Sequence, residues 1–358
     1  MAETILGIDF GYDSLKLALL SGKQVKKSVI VPMPKNLIKD GRVVSTETMG
    51  ELIRNVMKDN GMSCRGAAVA FPNETVFVRS VSMPVMTHDQ LIYNLPYEFR
   101  DYITDELKNY IYDYAVIDNG SSKKEEKPEE KAEESAEGEE NAENKPEEEE
   151  QKMQLLAAAI PATVLEDTRA VMRKAGVKFS GAAPAVCSYI SLIRNMDKKY
   201  RPESGEYCIL DLGYKEVRMF MFKNDVNIAT RVLEVGMSVI DDVIAEAYNV
   251  DVHLAHTYLL SNYDNCQNKE ACINAFNNMA VELMRAVNFY NFSNPDSHLA
   301  DIWICGGGSV IGTLVSAIES TLSMNIHKAS ELVKDGESVE DCNSLVVAIG
   351  AALNLIGR

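Results

Sequence analysis

Apolar positions follow two rhythms along the chain. Short β-rich runs open it: residues 5–9 are followed by the turn-like Gly11-Tyr12-Asp13-Ser14, and apolar residues resume over 15–20, broken only by Lys16. A helical rhythm comes next, with Met49, Leu52, Ile53, Val56 and Met57 on one face of a helix predicted over 46–60. Residues 67–71 and 75–83 read as a strand pair, 89–102 as a helix and 110–117 as a strand. A strand over 153–160, an amphipathic helix over 163–174 and another over 184–194 follow. From Tyr207 the strand-and-turn pattern returns, and helices are predicted near 238–248, 252–261 and 269–293. A strand over 303–305 runs into glycines and a helix over 310–322. The last apolar run, 345–356, is too short for roughly 30 Å of hydrocarbon and reads as a buried helix.

One segment breaks both rhythms. Residues 121–152 hold fourteen Glu and six Lys and no Val, Ile, Leu, Met or aromatic residue, so burial cannot offset the entropy of ordering them. Strand-like runs flank the segment, which predicts a solvated, disordered hairpin insertion, a spacer rather than a docking element. It also changes the meaning of the charge. The whole chain carries a formal −17, and about half of that sits in these 32 residues. The acid surplus argues against phosphate-backbone (nucleic-acid) binding and against docking on anionic lipid by charge alone. Residues 1–16 lack the basic and apolar regions of a secretory signal. Seven cysteines without a CxxC pair suit a reducing cytosol. A membrane link is therefore expected to run through a protein partner, without direct insertion.

The strongest feature is an internal repeat. Ile8-Asp9-Phe10-Gly11-Tyr12-Asp13-Ser14-Leu15-Lys16 matches Leu210-Asp211-Leu212-Gly213-Tyr214-Lys215-Glu216-Val217-Arg218, with aspartate, glycine, tyrosine and a cation in register. Asp and Gly are common in hairpin turns, and one copy would mean little; a register-matched pair weakens that reading. Backbone N–H groups in such turns can cradle phosphate, and a strand-terminal Asp can hold magnesium through its waters. Two such hairpins facing one another would clamp a nucleotide tail. Gly306-Gly307-Gly308-Ser309 adds a turn where a base or ribose can approach the backbone, with Ser309 expected to cap the next helix.

These residues resemble the actin-like ATPase superfamily. Asp9-x-Gly11 with Lys16 looks like its first phosphate motif, Asp211-x-Gly213 like the second, and Gly306-Gly307-Gly308-Ser309 like the adenosine motif. Glu282 and Arg285 are similar to the pair that contacts ribose and adenine, and Ala348-Ile349-Gly350 to the helix returning between lobes. Within the superfamily the chain resembles the PilM family of type IV pilus assembly proteins, related to the division protein FtsA. Residues 65–84, Tyr97-Glu98, Tyr102-Ile103, 156–161 and Phe289-Tyr290 carry that likeness.

The resemblance implies an α/β, two-lobed, actin-like (ribonuclease H-like) fold with a small inserted α+β subdomain. The first lobe is expected over 1–65 and 179–200 with the return helix 345–358, the insertion over 66–178, and the second lobe over 201–344. It further implies a cytoplasmic scaffold at the inner face of the cell membrane, which binds ATP with Mg2+ and recruits the short cytoplasmic tail of a PilN-like membrane protein. Pilus motor or platform components and self-association are further expected contacts. Asp9 and Asp211 would organise the metal. Gly11, Tyr12, Asp13, Ser14, Lys16, Gly213, Tyr214 and Lys215 would surround the phosphates.

The second loop departs from the family pattern, with Tyr214, Lys215 and Glu216 where small residues and a hydroxyl are usual. Residues 181–191 hold no Asp, Glu, Gln or His to activate water, so slow turnover or none is expected, with no catalytic residue assigned. A small-molecule kinase or fast ATPase would need that missing carboxylate. An FtsA-like filament tether would need a C-terminal amphipathic helix, whereas Gly357-Arg358 follows the apolar run directly. His253 and His256 lie three apart but read as surface or packing residues rather than metal ligands.

Overall fold

The computed structural model describes residues 4–118 and 152–357, so 121–151 of the acidic segment lie outside the described residues. In chain order the elements are β1 (Thr4–Phe10), β2 (Ser14–Ser21), β3 (Gln24–Pro32), β4 (Ile38–Lys39), β5 (Arg42–Val43), α1 (Thr46–Asp59), β6 (Gly66–Phe71), β7 (Phe77–Pro84), α2 (His88–Glu98), β8 (Tyr110–Asp118), β9 (Lys152–Pro161), α3 (Ala162–Ala175), β10 (Phe179–Pro184) and α4 (Ala185–Asn195). They continue with β11 (Glu206–Leu212), β12 (Val217–Lys223), β13 (Val226–Leu233), α5 (Met237–Tyr248), α6 (Val252–Ser261), α7 (Glu270–Ser293), β14 (Asp301–Cys305), α8 (Gly312–Thr321), β15 (Asn325–Lys328) and α9 (Cys342–Ile356).

Two compact units result, one formed by Met1–Val76 with Pro161–Arg358 and the other by Phe77–Ile160. The larger holds two five-stranded sheets, ordered β3-β2-β1-β6-β10 and β13-β12-β11-β14-β15. Each is an antiparallel meander followed by two parallel strands on the other side of its first strand. The repeat seen in nine residues is therefore a repeat of whole sheets. Parallel strands are buried on both faces, and β6, Gly-Ala-Ala-Val-Ala-Phe, is buried along its entire length. The edge strand β3 carries exposed Lys26 and Lys27, which discourage further strand pairing.

Helix α9 is the shared core piece. Eleven of its fifteen residues are buried, and it lies directly on β1 and α4. A Cβ at Gly7 would stand 1.8 Å from the Ala348 carbonyl oxygen, and one at Gly350 would stand 2.5 Å from that of Ser188. Only glycine allows such close backbone approach. Helix α1 buries Met49, Ile53, Val56 and Met57 and packs on α3, with the Ser45 side chain accepting the Thr48 N–H at its start.

The smaller unit is a three-stranded sheet, β7-β9-β8, with α2 contributing Leu91 and Leu95 to a core shared with Val81, Met83, Phe99 and Leu155. Thr87 and Gln90 form a reciprocal capping box at the start of α2. Adjacency of β8 and β9 agrees with the expected hairpin around the acidic segment.

Two boundary expectations are corrected. Strands 67–71 and 75–83 do not pair, because β6 hydrogen-bonds between β1 and β10 while β7 joins β9. For the same reason the inserted unit spans Phe77–Ile160 rather than 66–178: β6 belongs to the β1 sheet, and α3 packs on α1. Strands β3, β10 and β15 are additions to the sequence reading.

Seating α9 on β1 gives a direct test. Gly7→Ala should lower the urea midpoint by a stability equivalent of about 1–3 kcal/mol, the usual scale of overpacking. Gly312→Ala, where nothing lies within 4 Å of a Cβ, should be neutral or slightly stabilising. Equal midpoints for both variants would contradict the close approach.

Candidate functional site

The ends of β1 and β11 build the site. Antiparallel register sets Asp9 opposite Lys16 in one hairpin and Asp211 opposite Arg218 in the other. In the first, the Gly11 N–H donates to the Ser14 carbonyl at 3.0 Å, and Lys16 Nζ lies 3.2 Å from Asp9 Oδ2. Burial works against the Lys16 charge, but Asp9, Asp13 and Asp211 outweigh it and hold the ammonium pKa above its usual range. The Ser14 side chain is buried beneath the turn.

In the second hairpin, the start of α5 closes on the turn. Met237 N–H donates to Gly213 O at 3.1 Å, and Ser238 N–H to Tyr214 O at 2.8 Å. Tyr214 leans on the edge of His256, 5.6 Å between ring centroids, and its hydroxyl engages Asp241. Burial and then Asp241 push the Tyr214 pKa up to about 12. His256 in turn holds the fully buried Asp241 at 2.9 Å, so this histidine packs through a partnered carboxylate.

Asp211 is buried. That raises its pKa, against the pull of Arg218 and Lys16. Tyr189, on α4, donates its hydroxyl to Asp211 Oδ2 at 3.0 Å. The glycine turn presses on the same carboxylate. Gly306 has φ +87°, and a Cβ there would lie 2.4 Å from Asp211 Oδ1. Its N–H donates to Asn343 O at 3.1 Å, and Ser344 Oγ donates to its carbonyl at 3.3 Å, tying the turn to the start of α9. Ser309 Oγ also donates to Gly306 O, at 2.6 Å, so it stabilises its own turn and does not cap α8, which begins at Gly312 behind Ile311.

Asp9, Gly11, Tyr12, Asp13, Lys16, Asp211, Gly213, Tyr214, Lys215, Gly306 and Gly307 line one cleft of about 70 Å³. Glu216, Arg218, Ala185, Ser344 and Val347 line it too. Gly308 is buried behind it against Met237 and Leu212. Glu282 and Arg285 pair with each other outside this lining, and Glu282 borders a separate groove between α5 and α7. Sequence reasoning missed Tyr189, because its search of 181–191 was confined to Asp, Glu, Gln and His. It noted Arg218 only as the register partner of Lys16.

The cleft lining combines four carboxylates with three cations, Lys16, Lys215 and Arg218. A polyphosphate there would need added positive charge, which suits a hard divalent cation on oxygen donors. Among the described residues no three His, Cys, Asp or Glu side chains form a metal-binding group. Magnesium held by one or two carboxylates, water and phosphate needs no such cage.

A model of the type IV pilus assembly protein PilM matches residues 7–133 and 140–354. The chain belongs to the PilM family. Its fold is similar to a solved PilM-PilN type IV pilus biogenesis complex, with TM-score 0.75 and 20% identity over 98% of both chains. It is also similar to the ethanolamine utilization protein EutJ from Carboxydothermus hydrogenoformans, with TM-score 0.57 and 13% identity over 99% of this chain and 91% of that one. The actin-like fold that the resemblance implied is thus shown. No curated protein matches the chain. Among the described residues no helix is long and apolar enough to cross a membrane.

Asp211 gives this PilM-family cleft a pH signature. An acid whose folded pKa is raised contributes stability below its unfolded pKa, about 3.9, and loses it as pH rises through the folded value. Asp211→Asn should therefore raise the melting temperature of the unliganded protein at pH 7, with the gain vanishing below about pH 4. Scanning fluorimetry across pH checks this, and a lower melting temperature at pH 7 contradicts it.

Proposed function

We propose that this chain is a nucleotide-binding scaffold of type IV pilus assembly. It binds ATP with Mg2+ across its two hairpin turns and receives the short cytoplasmic tail of a PilN-like membrane protein. One observation carries the nucleotide reading: Asp9 with Lys16 and Asp211 with Arg218, equivalent in two equivalent sheets, face a single cleft. Lys16 and the turn amides hold phosphates, while Asp9 and Asp211 hold the metal's water shell. The metal supplies the charge that lets phosphates enter an acidic cleft. The turn at Gly306 and Gly307, with Gly308 and Ser309 behind it, flanks the nucleoside, and Glu282 with Arg285 contacts ribose and adenine. The two sheets are then the two lobes of an actin-like protein.

Turnover is slow or absent. Tyr189 is the titratable α4 side chain bound to Asp211, and burial with that carboxylate keeps its pKa well above 10. It is a hydrogen-bond donor, unsuited to taking a proton from water.

Family membership and the fold similarity to a solved PilM-PilN complex support the partner. The smaller unit offers a surface suited to a peptide. Tyr93, Tyr97 and Tyr102 are exposed, with Arg79 3.8 Å over Tyr102 and Arg100 5.5 Å over Tyr97. Aromatic and arginine side chains dominate such contacts. The partner places the protein at the inner face of the membrane, where motor and platform components and further copies of the chain are its neighbours.

Calorimetry with Mg-ATP should give saturable binding, weakened at least about tenfold by Asp9→Ala or Asp211→Ala and by EDTA. No binding at millimolar ATP would sink the nucleotide reading. Multiple turnover at about 1–10³ s⁻¹, lost in Asp211→Ala, would sink slow hydrolysis. A peptide of the partner's cytoplasmic tail should bind the wild type and lose about tenfold or more with Tyr93→Ser/Tyr97→Ser. Equal binding by that variant would move the docking site elsewhere.

A further inference from the structure

The two hairpins are equivalent in register but not in how they use their cations. Lys16 lies on its own strand partner, Asp9. Arg218, placed opposite Asp211, turns its guanidinium to two other carboxylates. Its Nε lies 2.5 Å from Glu216 Oε1, and its Nη2 lies 2.9 Å from Glu74 Oε1. Glu74 belongs to the connection between β6 and β7, so this ion pair joins the sheet of β1 to the sheet of β11. The pair is well shielded, with Arg218 13% and Glu74 25% exposed.

Neighbouring contacts reinforce it. Glu74 packs beside Gly41, where a Cβ would come within 3.3 Å of the Glu74 Cβ. The Gly41 N–H donates to the Tyr12 hydroxyl at 2.8 Å, and Lys215 Nζ sits 4.2 Å over the Tyr12 ring. Glu74, Gly41 and Tyr12 on one side thus strap to Arg218 and Lys215 on the other. The cleft behind them measures about 70 Å³. Small-molecule pockets are usually about 300–1,000 Å³, so a nucleotide needs this cleft to widen, and Tyr12, Lys215 and Arg218 of the strap are part of its wall.

We propose that Arg218 is a phosphate-binding residue and that Glu74 is its built-in competitor, a latch that a polyphosphate must displace. The inference rests on the nucleotide reading of the cleft and deepens it. A phosphate brings more charge to the guanidinium than a single carboxylate oxygen does, and shielding makes Nη2 costly to leave unpaired while Nε stays on Glu216. Opening is therefore favourable only when a phosphate replaces Glu74 at the same atoms. The freed connection leads within three residues to Phe77, where the smaller unit begins. Nucleotide occupancy would thereby be felt in residues 72–76.

Calorimetry with Mg-ATP on four proteins tests this: wild type, Glu74→Gln, Arg218→Met and the double variant. Glu74→Gln should tighten binding about tenfold, and Arg218→Met should weaken it about tenfold or more. In the double variant the Glu74→Gln gain should vanish, which separates a latch from the general effect of removing a negative charge. Arg218→Lys, which keeps the charge and loses the fork, should bind more weakly than wild type and covers the case in which Arg218→Met fails to fold. Backbone hydrogen exchange over 72–76 in the wild type should quicken on adding Mg-ATP.

A gain that persists without Arg218 overturns the latch. So does wild-type ATP binding with an unchanged Glu74→Gln variant, or with unchanged exchange over 72–76. If neither wild type nor Glu74→Gln takes ATP, the nucleotide reading falls and the latch with it.

Discussion

Two aspartates brought to one cleft repel each other, and most of the surrounding structure answers that repulsion. Asp9 and Asp211 end equivalent strands, with Asp13 close by. Burial makes the repulsion stronger, since little water screens it. The response is layered. Lys16 is buried, yet its charge is held by three aspartates. Tyr189 donates to Asp211 from below, and Arg218 adds a second positive field. Asp211 still titrates above its ordinary range, chiefly because desolvation penalises its charge, with the Asp9 repulsion adding to it.

The position of these groups follows from strand ends and glycines rather than from loops. Each aspartate sits on the first strand of its sheet, where antiparallel pairing on one side and parallel pairing on the other fix the backbone. The carboxylate can then move little. Gly306 allows the turn after β14 to close within contact of Asp211, and the start of α9 holds that turn through Asn343 and Ser344. Because α9 also lies on β1, the glycine turn and the first hairpin are gauged by one helix. A shift of α9 on β1 would be felt at both.

What was legible in the sequence was local and periodic. The hairpin repeat could be read because Asp, Gly, Tyr and a cation recur at fixed spacing in nine residues, and the same spacing places each cation opposite its aspartate. The strands β6 and β7 were visible as strands, but which sheet each enters is decided by partners more than a hundred residues away for β10 and nearly as far for β9. Apolar alternation says that a strand is half-buried, not what it pairs with. The Arg218–Glu74 contact was hidden for a similar reason: it joins a strand residue to a turn 144 positions away, and nothing near either residue signals the other. The Asp241–His256 contact is likewise made only in the fold, where α6 places His256 against α5.

Tyr189 shows why function needed both views. From sequence, the stretch after β10 offered no group that could activate water, and the expectation was slow hydrolysis by default. In the structure a hydroxyl does stand beside Asp211, so the argument has to be made from its chemistry. A phenol serves as a base only as its phenolate, and a buried phenolate beside a carboxylate is doubly disfavoured. Tyr189 therefore keeps its proton and spends it on Asp211 Oδ2. That bond fixes the carboxylate and offers no path for a proton out of an attacking water. Under the nucleotide reading proposed above, this arrangement favours holding the ligand over consuming it.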